Sequence, residues 1–533
     1  MKINGFIKLV KLGIPRIDGR RTISGRGFKF DKISESQSLS AEEIEEFDKV
    51  SMIGLKTLKI PEHARQKLHN LAKQFVKKKD LEKLGRYMAK QLTSRNCVEL
   101  PRVLPSKLLC ETKEERNKIE KMLDKKSYKC LKEFISQYKN KSKEIEQVAL
   151  THAEDSRHKI NITFFPEVSI SYTLHNFNGT YGIMYRIFNE IKIRVPDFSP
   201  KNILNYSAVP AASIIAFSEV YNGSYEKILV VESSQHLASI SKYMLDNIPN
   251  VKYQMHLYEN FDSFDLVVIS HKLLSLYDYN SRNIFIQNIW NKIEKNGILI
   301  IVENGTPTGF RMLHSIREMF ITELKYNKFH IISPCPHENI CPLALTGKDW
   351  CHFSQRTLRL SHHIYCKGRQ MKNTDEEKFS YLVIRKCEGP RTKYNSENEA
   401  LTAHEKSFFW PRVVMPTIKA GKHVLLDVCS YPYNFERLVV TKSSSLISNL
   451  KTKTGTILKG YGYKKARKIL WGDLWRFTKR ISRPDARLYT PESTKNILYR
   501  LYLRQKRRSN IKSVVDSKSQ AYYNSRSIQY YTS

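Results

Sequence analysis

The chain has 533 residues, 41% of them hydrophobic, and its 90 lysines and arginines exceed its 52 aspartates and glutamates by 38 charges. This length and composition exclude a disordered chain and a one-domain protein, and no apolar run is long enough to predict a membrane-spanning helix. So large a positive charge predicts a polyanionic partner. RNA or DNA is favoured, with an anionic membrane surface as the alternative.

The first 30 residues contain eight lysines or arginines and one acid, Asp18. Ile3, Phe6, Ile7 and Val10 form the apolar stripe of a short helix, and Lys8 and Lys11 lie off that stripe. This pattern is typical of a mitochondrial presequence, which we place at residues 1–35, and it predicts a mitochondrial matrix protein. The alternative is a basic arm that contacts RNA.

Residues 36–165 have helical patterns. Ser40 and Glu43 form a capping-box motif, and apolar residues recur at helical spacing over Pro61–Gln91 and Glu114–Ala149. From about residue 200, short β-rich runs alternate with helical ones, which predicts a doubly wound α/β sheet within residues 166–390. The predicted strands are Ile203–Ser207, Ile228–Glu232, Tyr253–Tyr258, Leu266–Ser270, Ile298–Glu303 and Phe379–Lys386, and the helices between them are Ala211–Tyr221, Leu237–Asn247, Arg282–Lys295 and Phe310–Tyr326.

A cofactor would bind such a sheet at the turn after its first strand, here Asn205–Ser213. This turn contains no glycine, and Val209 disfavours the left-handed backbone that a close approach to a ligand needs. Glu232 ends the second strand, where an acid can bind ribose hydroxyls. The candidate residues Asn205, Ser207, Val209 and Glu232 therefore predict a degenerate cofactor pocket. A second turn, Val302–Phe310, is either a plain strand-to-helix turn or a substrate-positioning one.

The segment Pro334–Arg356, PCPHENICPLALTGKDWCHFSQR, contains Cys335, Cys341 and Cys351, with His337 and His352 beside them. Nine scattered cysteines in a large chain favour reduced thiols or metal ligands over disulfides. The spacings C-x5-C and C-x9-C fit zinc ribbons poorly, whereas an iron–sulfur cluster accepts wider spacing and needs four thiolates. The spacing leaves the fourth ligand open among Cys366, Cys387 and Cys429, or His337 and His352 for zinc.

The C-terminal part is predicted to contain a small β unit at residues 391–480, with strands His423–Cys429 and Glu436–Thr441, followed by a basic tail at 481–533. Residues 441–533 carry 22 basic and four acidic residues, a net charge of +18 (22 − 4). Trp471 and Trp475, one helical turn apart, are predicted core anchors. The predicted RNA-binding residues are Lys464, Lys465, Arg467, Lys468, Arg504, Lys506, Arg507 and Arg508.

Several stretches together resemble the methyltransferase-like proteins of the mitochondrial ribosomal small subunit, a family associated with mitoribosome assembly. They are PCPHxxxCPL, WCHFSQR, DEEKFSYLVIRK, FDLVVISHKLLSL, VENGTPTGFRML, HVLLDVC, FERLVVTKS and YKKARKILWGDLW. The resemblance implies a class I methyltransferase fold and a [4Fe–4S] cluster held by Cys335, Cys341, Cys351 and Cys429. It also implies that His337 and His352 donate hydrogen bonds near the sulfurs. The family's first cofactor motif has lost its acid and its glycines here, which argues against S-adenosylmethionine binding.

These observations predict a component or assembly factor of the mitochondrial small ribosomal subunit, needed for mitochondrial translation. Its partners would be small-subunit rRNA and ribosomal proteins or assembly factors, and its methyltransferase fold would be inactive and braced by the cluster. One alternative is an active S-adenosylmethionine-dependent rRNA methyltransferase. Another is an RNA-binding protein that holds zinc at the cysteines instead of iron.

Overall fold

The computed structural model describes residues 40–93, 164–393 and 401–484, apart from short gaps at 75–76, 258–262, 277–278, 323, 325–327, 340, 347–348, 363–372, 432–433, 443–449, 452, 454–456, 459 and 478–480. The predicted presequence, the helix at 114–149 and the tail beyond residue 484 lie outside these residues. None of the helices in the described part of the chain is long and apolar enough to cross a membrane.

The helices are α1 (Ala41–Ser51), α2 (Glu62–Lys73), α3 (Lys78–Thr93), α4 (Pro166–Arg194), α5 (Ala212–Tyr221), α6 (Gln235–Met244), α7 (Tyr279–Asn291), α8 (Pro307–Thr322), α9 (Pro342–Thr346), α10 (Pro390–Lys393), α11 (Ala403–Lys406) and α12 (Tyr461–Lys468). The strands are β1 (Asn202–Ser207), β2 (Lys227–Val231), β3 (Val251–Gln254), β4 (Phe264–Ser270), β5 (Ile293–Asn304), β6 (His330–Ser333), β7 (Phe353–Leu358), β8 (Thr374–Arg385), β9 (Arg412–Val413), β10 (Ile418–Lys419), β11 (His423–Ser430), β12 (Asn434–Thr441), β13 (Leu450–Lys451), β14 (Ile457–Leu458) and β15 (Ile481–Pro484).

The larger sheet has the strand order β3-β2-β1-β4-β5-β8-β6, with β7 paired to β8. Strands β1 to β5 are parallel, and β8 lies antiparallel between β5 and β6. This order, with its reversal next to β1 and one antiparallel strand near the edge, is that of a class I methyltransferase-like α/β fold. The predicted fold class is therefore confirmed, and each predicted strand and helix of this sheet overlaps an observed one.

Both faces of this sheet are covered. Side chains on one face of the strands pack into a core with α4 and α5, and those on the other face pack against α7 and α8. The 29-residue helix α4 is absent from the sequence prediction. Because its residues from Tyr172 to Ile191 are buried on nearly all sides, it has no polar face to give the period of an amphipathic helix.

The C-terminal part forms a second sheet with the order β10-β11-β12-β15, and β9 pairs with β11. Its core contains Val424, Leu426, Leu438 and the fully buried Trp475. One local prediction is confirmed and another is wrong. The helical pattern over Pro61–Gln91 corresponds to two helices, α2 and α3. The Trp471–Trp475 spacing is not helical, because α12 ends at Lys468 and Leu474 bridges to Arg412 of β9.

The N-terminal helix α1 packs against α12 and the segment that follows α12. Its Ser40–Glu43 capping box is formed as predicted. At its other end, Asp48 pairs with Lys465 of α12 and with Arg476 at 2.9 Å, and the carbonyl of Ser51 accepts a hydrogen bond from Leu474 N. Residues far apart in the chain thus meet beside the C-terminal sheet.

Candidate metal centre

Four of the predicted ligand residues line one cavity of about 40 Å³. Cys335 follows β6, Cys341 immediately precedes α9, and Cys351 lies two residues before the start of β7, so all three belong to the segment inserted before β8. Cys429 lies on β11 of the C-terminal sheet. The fold therefore brings thiols from two different sheets to one place. Cys387 does not line this cavity, and Cys366 lies outside the described residues.

Burial governs the electrostatics of these thiols. It raises the pKa of Cys341 to about 11, and it holds the pKa values of Cys351 and Cys429 well above their usual range. The negative charges of neighbouring cysteines add to this effect, whereas Arg317 opposes it. Thiolates in such a place need a cation to compensate them, and metal binding would release their protons.

His337 contacts one of the thiols directly. Its Nδ1 accepts a hydrogen bond from the backbone N–H of Asn339 at 3.3 Å, so in the neutral ring the proton is on Nε2. Nε2 lies 3.4 Å from Cys429 Sγ and donates to it. Burial keeps the ring neutral by holding the pKa of His337 well below its usual value. This is the hydrogen bond to a sulfur that the resemblance implied.

His352 is placed differently. Its Nδ1 lies 3.1 Å from the carbonyl of Trp350, and its ring stacks on the Trp350 ring with 5.1 Å between centroids. His352 does not line the cavity. The prediction that both histidines lie near the sulfurs is therefore right for His337 and wrong for His352, since the side chain of His352 is held between Trp350 and Trp471.

Three arginines hold the cysteine segment, and sequence reasoning found none of them. Arg317 of α8 donates to the carbonyls of His337 and Asn339, at 3.1 and 2.6 Å. Arg391 of α10 donates to the carbonyl of Cys335 at 3.1 Å, and Arg412 of β9 donates to that of Pro334 at 3.0 Å. Guanidinium groups thus satisfy carbonyls of the segment and help to fix its course.

The turn Val302–Phe310 also positions this segment. Gly305 lies so close to β8 that a Cβ there would come within 2.6 Å of Phe379 N. Its carbonyl accepts a hydrogen bond from Trp350 Nε1 at 2.9 Å. Pro307 and Pro342 each begin a helix.

The residues that line this cavity limit the kind of metal group that it could bind. Among the residues that the structure describes, no three His, Cys, Asp or Glu side chains form a group that could hold one metal ion. The four cysteines instead surround a space larger than one water molecule needs, about 10–15 Å³. Four thiols in one lining are a donor set of the kind that binds a metal group with thiolate ligands.

The turn at the predicted cofactor pocket is filled by the chain's own side chains. Asn205, Ser207 and Val209 are buried, and Ser207 Oγ accepts from Val209 N at 3.3 Å. The left-handed residue of this turn is Ala211, with φ of 60°, and Val209 avoids that conformation. Burial raises the pKa of Glu232 to about 7, and the nearby Lys272 opposes the shift. Lys272 Nζ also lies 5.2 Å from the Tyr206 ring centre.

Comparison with known families identifies the chain's relatives. The family model described as mitochondrial small ribosomal subunit Rsm22 matches residues 166–476, more than half of the chain. The chain belongs to the Rsm22 family. The description of this family and the names of its relatives both say that these proteins are mitochondrial. The predicted mitochondrial localisation is therefore confirmed.

Individual relatives of this Rsm22-family chain are moderately similar. The human ribosome assembly protein METTL17 is 25% identical over 342 residues, which cover 61% of this chain and 67% of METTL17. The ribosome assembly protein RSM22 of Saccharomyces cerevisiae is 20% identical over 470 residues, which cover 62% of this chain and 72% of RSM22. A Schizosaccharomyces pombe Rsm22-cox11 tandem protein is 25% identical over 340 residues, which are 58% of this chain but only 43% of the tandem protein's length.

Among solved structures, an O-methyltransferase from Bacillus cereus in complex with SAH has a TM-score of 0.26 at 13% identity, covering 41% of this chain and 88% of that one. The N-methyltransferase NodS from Bradyrhizobium japonicum has a TM-score of 0.25 at 10% identity, covering 38% of this chain and 86% of NodS. The fold assignment of the Rsm22-family chain follows from its own strand order.

The predicted RNA-binding residues of α12 have different surroundings. Lys464, Arg467 and Lys468 are exposed, whereas Lys465 is half-buried in its ion pair with Asp48. Arg467 also donates to the carbonyl of Ala420 at 2.8 Å. Of the four, Lys464 and Lys468 present their charge to solvent most fully. Arg504, Lys506, Arg507 and Arg508 lie outside the described residues.

Proposed function

We propose that this chain is a ribosome assembly protein or component of the mitochondrial small subunit, located in the matrix, and that it holds small-subunit rRNA through basic surfaces. In this proposal a [4Fe–4S] cluster, bound by Cys335, Cys341, Cys351 and Cys429, braces an inactive methyltransferase fold. We retain the predicted division into a presequence, a helical region, an α/β domain, a small β unit and a basic tail. The names of the human and yeast relatives, both ribosome assembly proteins, support the assignment.

The observation that carries the proposal is the convergence of four cysteines from two sheets. Three come from the insertion before β8, and Cys429 comes from β11. A cluster bound here would join the α/β domain to the C-terminal β unit, so the arrangement of the two would depend on iron. Joining the two units would give the four converging thiols a role in a chain whose cofactor turn lacks glycines.

Metal analysis tests the cluster. The full chain should be purified without oxygen, and its absorbance near 400 nm measured with its iron, sulfide and zinc content. About four irons and four sulfides per chain are expected. Stoichiometric zinc without sulfide would remove the cluster from the proposal and make His337 a candidate ligand. Its Nε2 lies beside Cys429 and would have to lose its proton to bind zinc.

An active methyltransferase is the second candidate, favoured by the strand order and by Glu232 at the end of β2. Two contacts argue against it. Val209 is buried where a glycine turn would approach a cofactor, and Lys272 lies near the carboxylate that would bind ribose. Calorimetry with S-adenosylmethionine separates the candidates. No heat of binding at millimolar ligand is expected, and tight binding would favour the enzyme.

RNA binding is tested by the salt dependence of affinity. The chain should bind a small-subunit rRNA fragment with an affinity that falls linearly with salt on logarithmic axes, because binding releases counterions from the phosphates. An affinity that does not change with salt would contradict the role of the basic surfaces.

A further inference from the structure

Arg317 lines the cysteine cavity, although it is a cation in an apolar core. It is on α8, where it shares one helix face with Leu313 and Phe320, and only 3% of it is exposed. It lines the cavity together with the four cysteines. Burying a guanidinium is costly unless charge and hydrogen bonds compensate it, so its surroundings define what it does there.

The contacts of Arg317 leave its Nε atom without an acceptor. Nη1 donates to Glu318 at 3.0 Å, and Nη2 donates to the carbonyls of His337 and Asn339. Nε is buried and has no acceptor within the described part of the chain. Buried donors without acceptors are rare in folded proteins, and this one belongs to a side chain that lines the sulfur cavity.

Arg317 is charged at neutral pH, because a guanidinium group does not lose its proton in proteins. Glu318 compensates part of this charge, with Oε1 3.0 Å from Nη1. A group with thiolate ligands in the cavity would compensate the rest, and Arg317 would compensate it in return.

We infer that Arg317 is a positioning and charge-compensating residue of the metal centre, which donates its Nε–H to a sulfur of the bound group while its Nη2 holds the Cys335–Cys341 loop. The inference rests on the proposed cluster. A cluster with four thiolates is anionic, and one-electron reduction adds a further negative charge without making or breaking a bond. A neighbouring cation therefore favours the reduced form and raises the reduction potential.

The test compares Arg317→Gln with Arg317→Lys in the full chain purified without oxygen. The readouts are the midpoint potential, from a dithionite titration followed by electron paramagnetic resonance, and the rate of iron release to a chelator. Arg317→Gln should have a lower potential and release iron roughly 10-fold faster. Arg317→Lys keeps the positive charge but loses the several N–H donors of the guanidinium. Its reduction potential should therefore lie closer to that of the wild type than the potential of Arg317→Gln does, while iron release remains faster than in the wild type.

Arg437→Gln is the matched control. Arg437 is half-exposed on β12 and binds Asp427 with two hydrogen bonds, and it does not line the cavity. Its loss should leave both readouts unchanged. If the wild type holds a cluster and Arg317→Gln has the same reduction potential and the same rate of iron release, the inference is overturned but the proposed cluster stands. A wild-type chain without iron and sulfide would overturn the cluster and the inference together.

Folding is separated from the inference by the iron-free proteins. If Arg317→Gln loses iron, its iron-free form should still unfold cooperatively, at a lower temperature than the wild type because the carbonyls of His337 and Asn339 lose a donor, and Arg317→Lys should regain iron. An iron-free Arg317→Gln with no cooperative unfolding, and no recovery of iron in Arg317→Lys, would assign the residue to packing and overturn its role at the metal centre.

Discussion

Arg412 Nη2 lies 2.6 Å from Glu190 Oε1, and both side chains are almost completely buried. Glu190 is on α4 of the larger domain, and Arg412 begins β9 of the C-terminal sheet. The same guanidinium donates to the carbonyl of Pro334 in the cysteine segment and to that of Gly472 after α12. The junction that the proposed cluster would brace is therefore also held by a buried ion pair.

The first prediction concerns this pair. Arg412→Met should lower the free energy of unfolding of the iron-free protein by about 3 kcal/mol or more, because it leaves Glu190 buried with less compensation. Urea unfolding followed by circular dichroism measures this. Lys201→Met, at an exposed pair with Glu226, is the control and should change little. An Arg412→Met protein as stable as this control would show that the junction does not depend on the pair.

The second prediction concerns the cysteines. Cys351→Ser and Cys429→Ser should each lose most of the bound iron and lower the unfolding temperature of the anaerobically purified protein, since each removes a thiolate ligand. Cys387→Ser is the control, because Cys387 lies outside the cavity and should not alter iron content. Equal iron content and unfolding temperature in all three variants would contradict the proposed bracing of the two sheets.

The third prediction is a pH dependence. Burial raises the pKa of Glu232 from 4.5 to about 7, so between these pH values the folded chain holds a proton that the unfolded chain has lost. The free energy of unfolding therefore falls as pH rises through this window, by up to about 3 kcal/mol. Glu232→Gln should remove this component and make the protein relatively more stable at pH 7.

Denaturant unfolding at several pH values between 5 and 8 measures this slope. Glu226→Gln is the control for removing a carboxylate, since Glu226 is exposed in its pair with Lys201. A slope that is the same in the wild type and in Glu232→Gln would mean that Glu232 is charged in the folded state. The degenerate cofactor pocket would then be more polar than its burial indicates.

The elements of the larger sheet could be predicted because each buried strand is a short apolar run bounded by turns, as at Ile298–Glu303. The placement of Cys429 beside Cys351 could not come from local pattern, because the two residues belong to different sheets. It entered through the family resemblance instead. Helix α4 was missed because it is buried on nearly all sides and so lacks a period.

The arginines of the site were missed for a different reason. Basic residues are mostly exposed, so a lysine- and arginine-rich sequence gives no reason to bury one of them. A signal did exist on α8, where Arg317 falls on the same apolar face as Leu313 and Phe320. A charge in the middle of an apolar stripe indicates a buried partner, and here the neighbouring groups are the thiols of the cavity.

The fourth prediction separates RNA contact from folding on the single helix α12. Lys468 is exposed, whereas Lys465 is half-buried against Asp48 of α1. Lys468→Ala should weaken binding to small-subunit rRNA and reduce the slope of log affinity against log salt by about 1, as expected for one lost phosphate contact. Its unfolding temperature should stay that of the wild type.

Lys465→Ala is the matched contrast, since it removes the same charge from the same helix. It should lower the unfolding temperature, because Asp48 loses one of its partners, and it should leave the salt slope unchanged. Salt titrations of rRNA binding for both variants decide the matter. The opposite result would be a changed slope of log affinity against log salt in Lys465→Ala and an unchanged slope in Lys468→Ala. The rRNA would then bind the side of α12 that faces α1, and α1 would have to move away from α12 on binding.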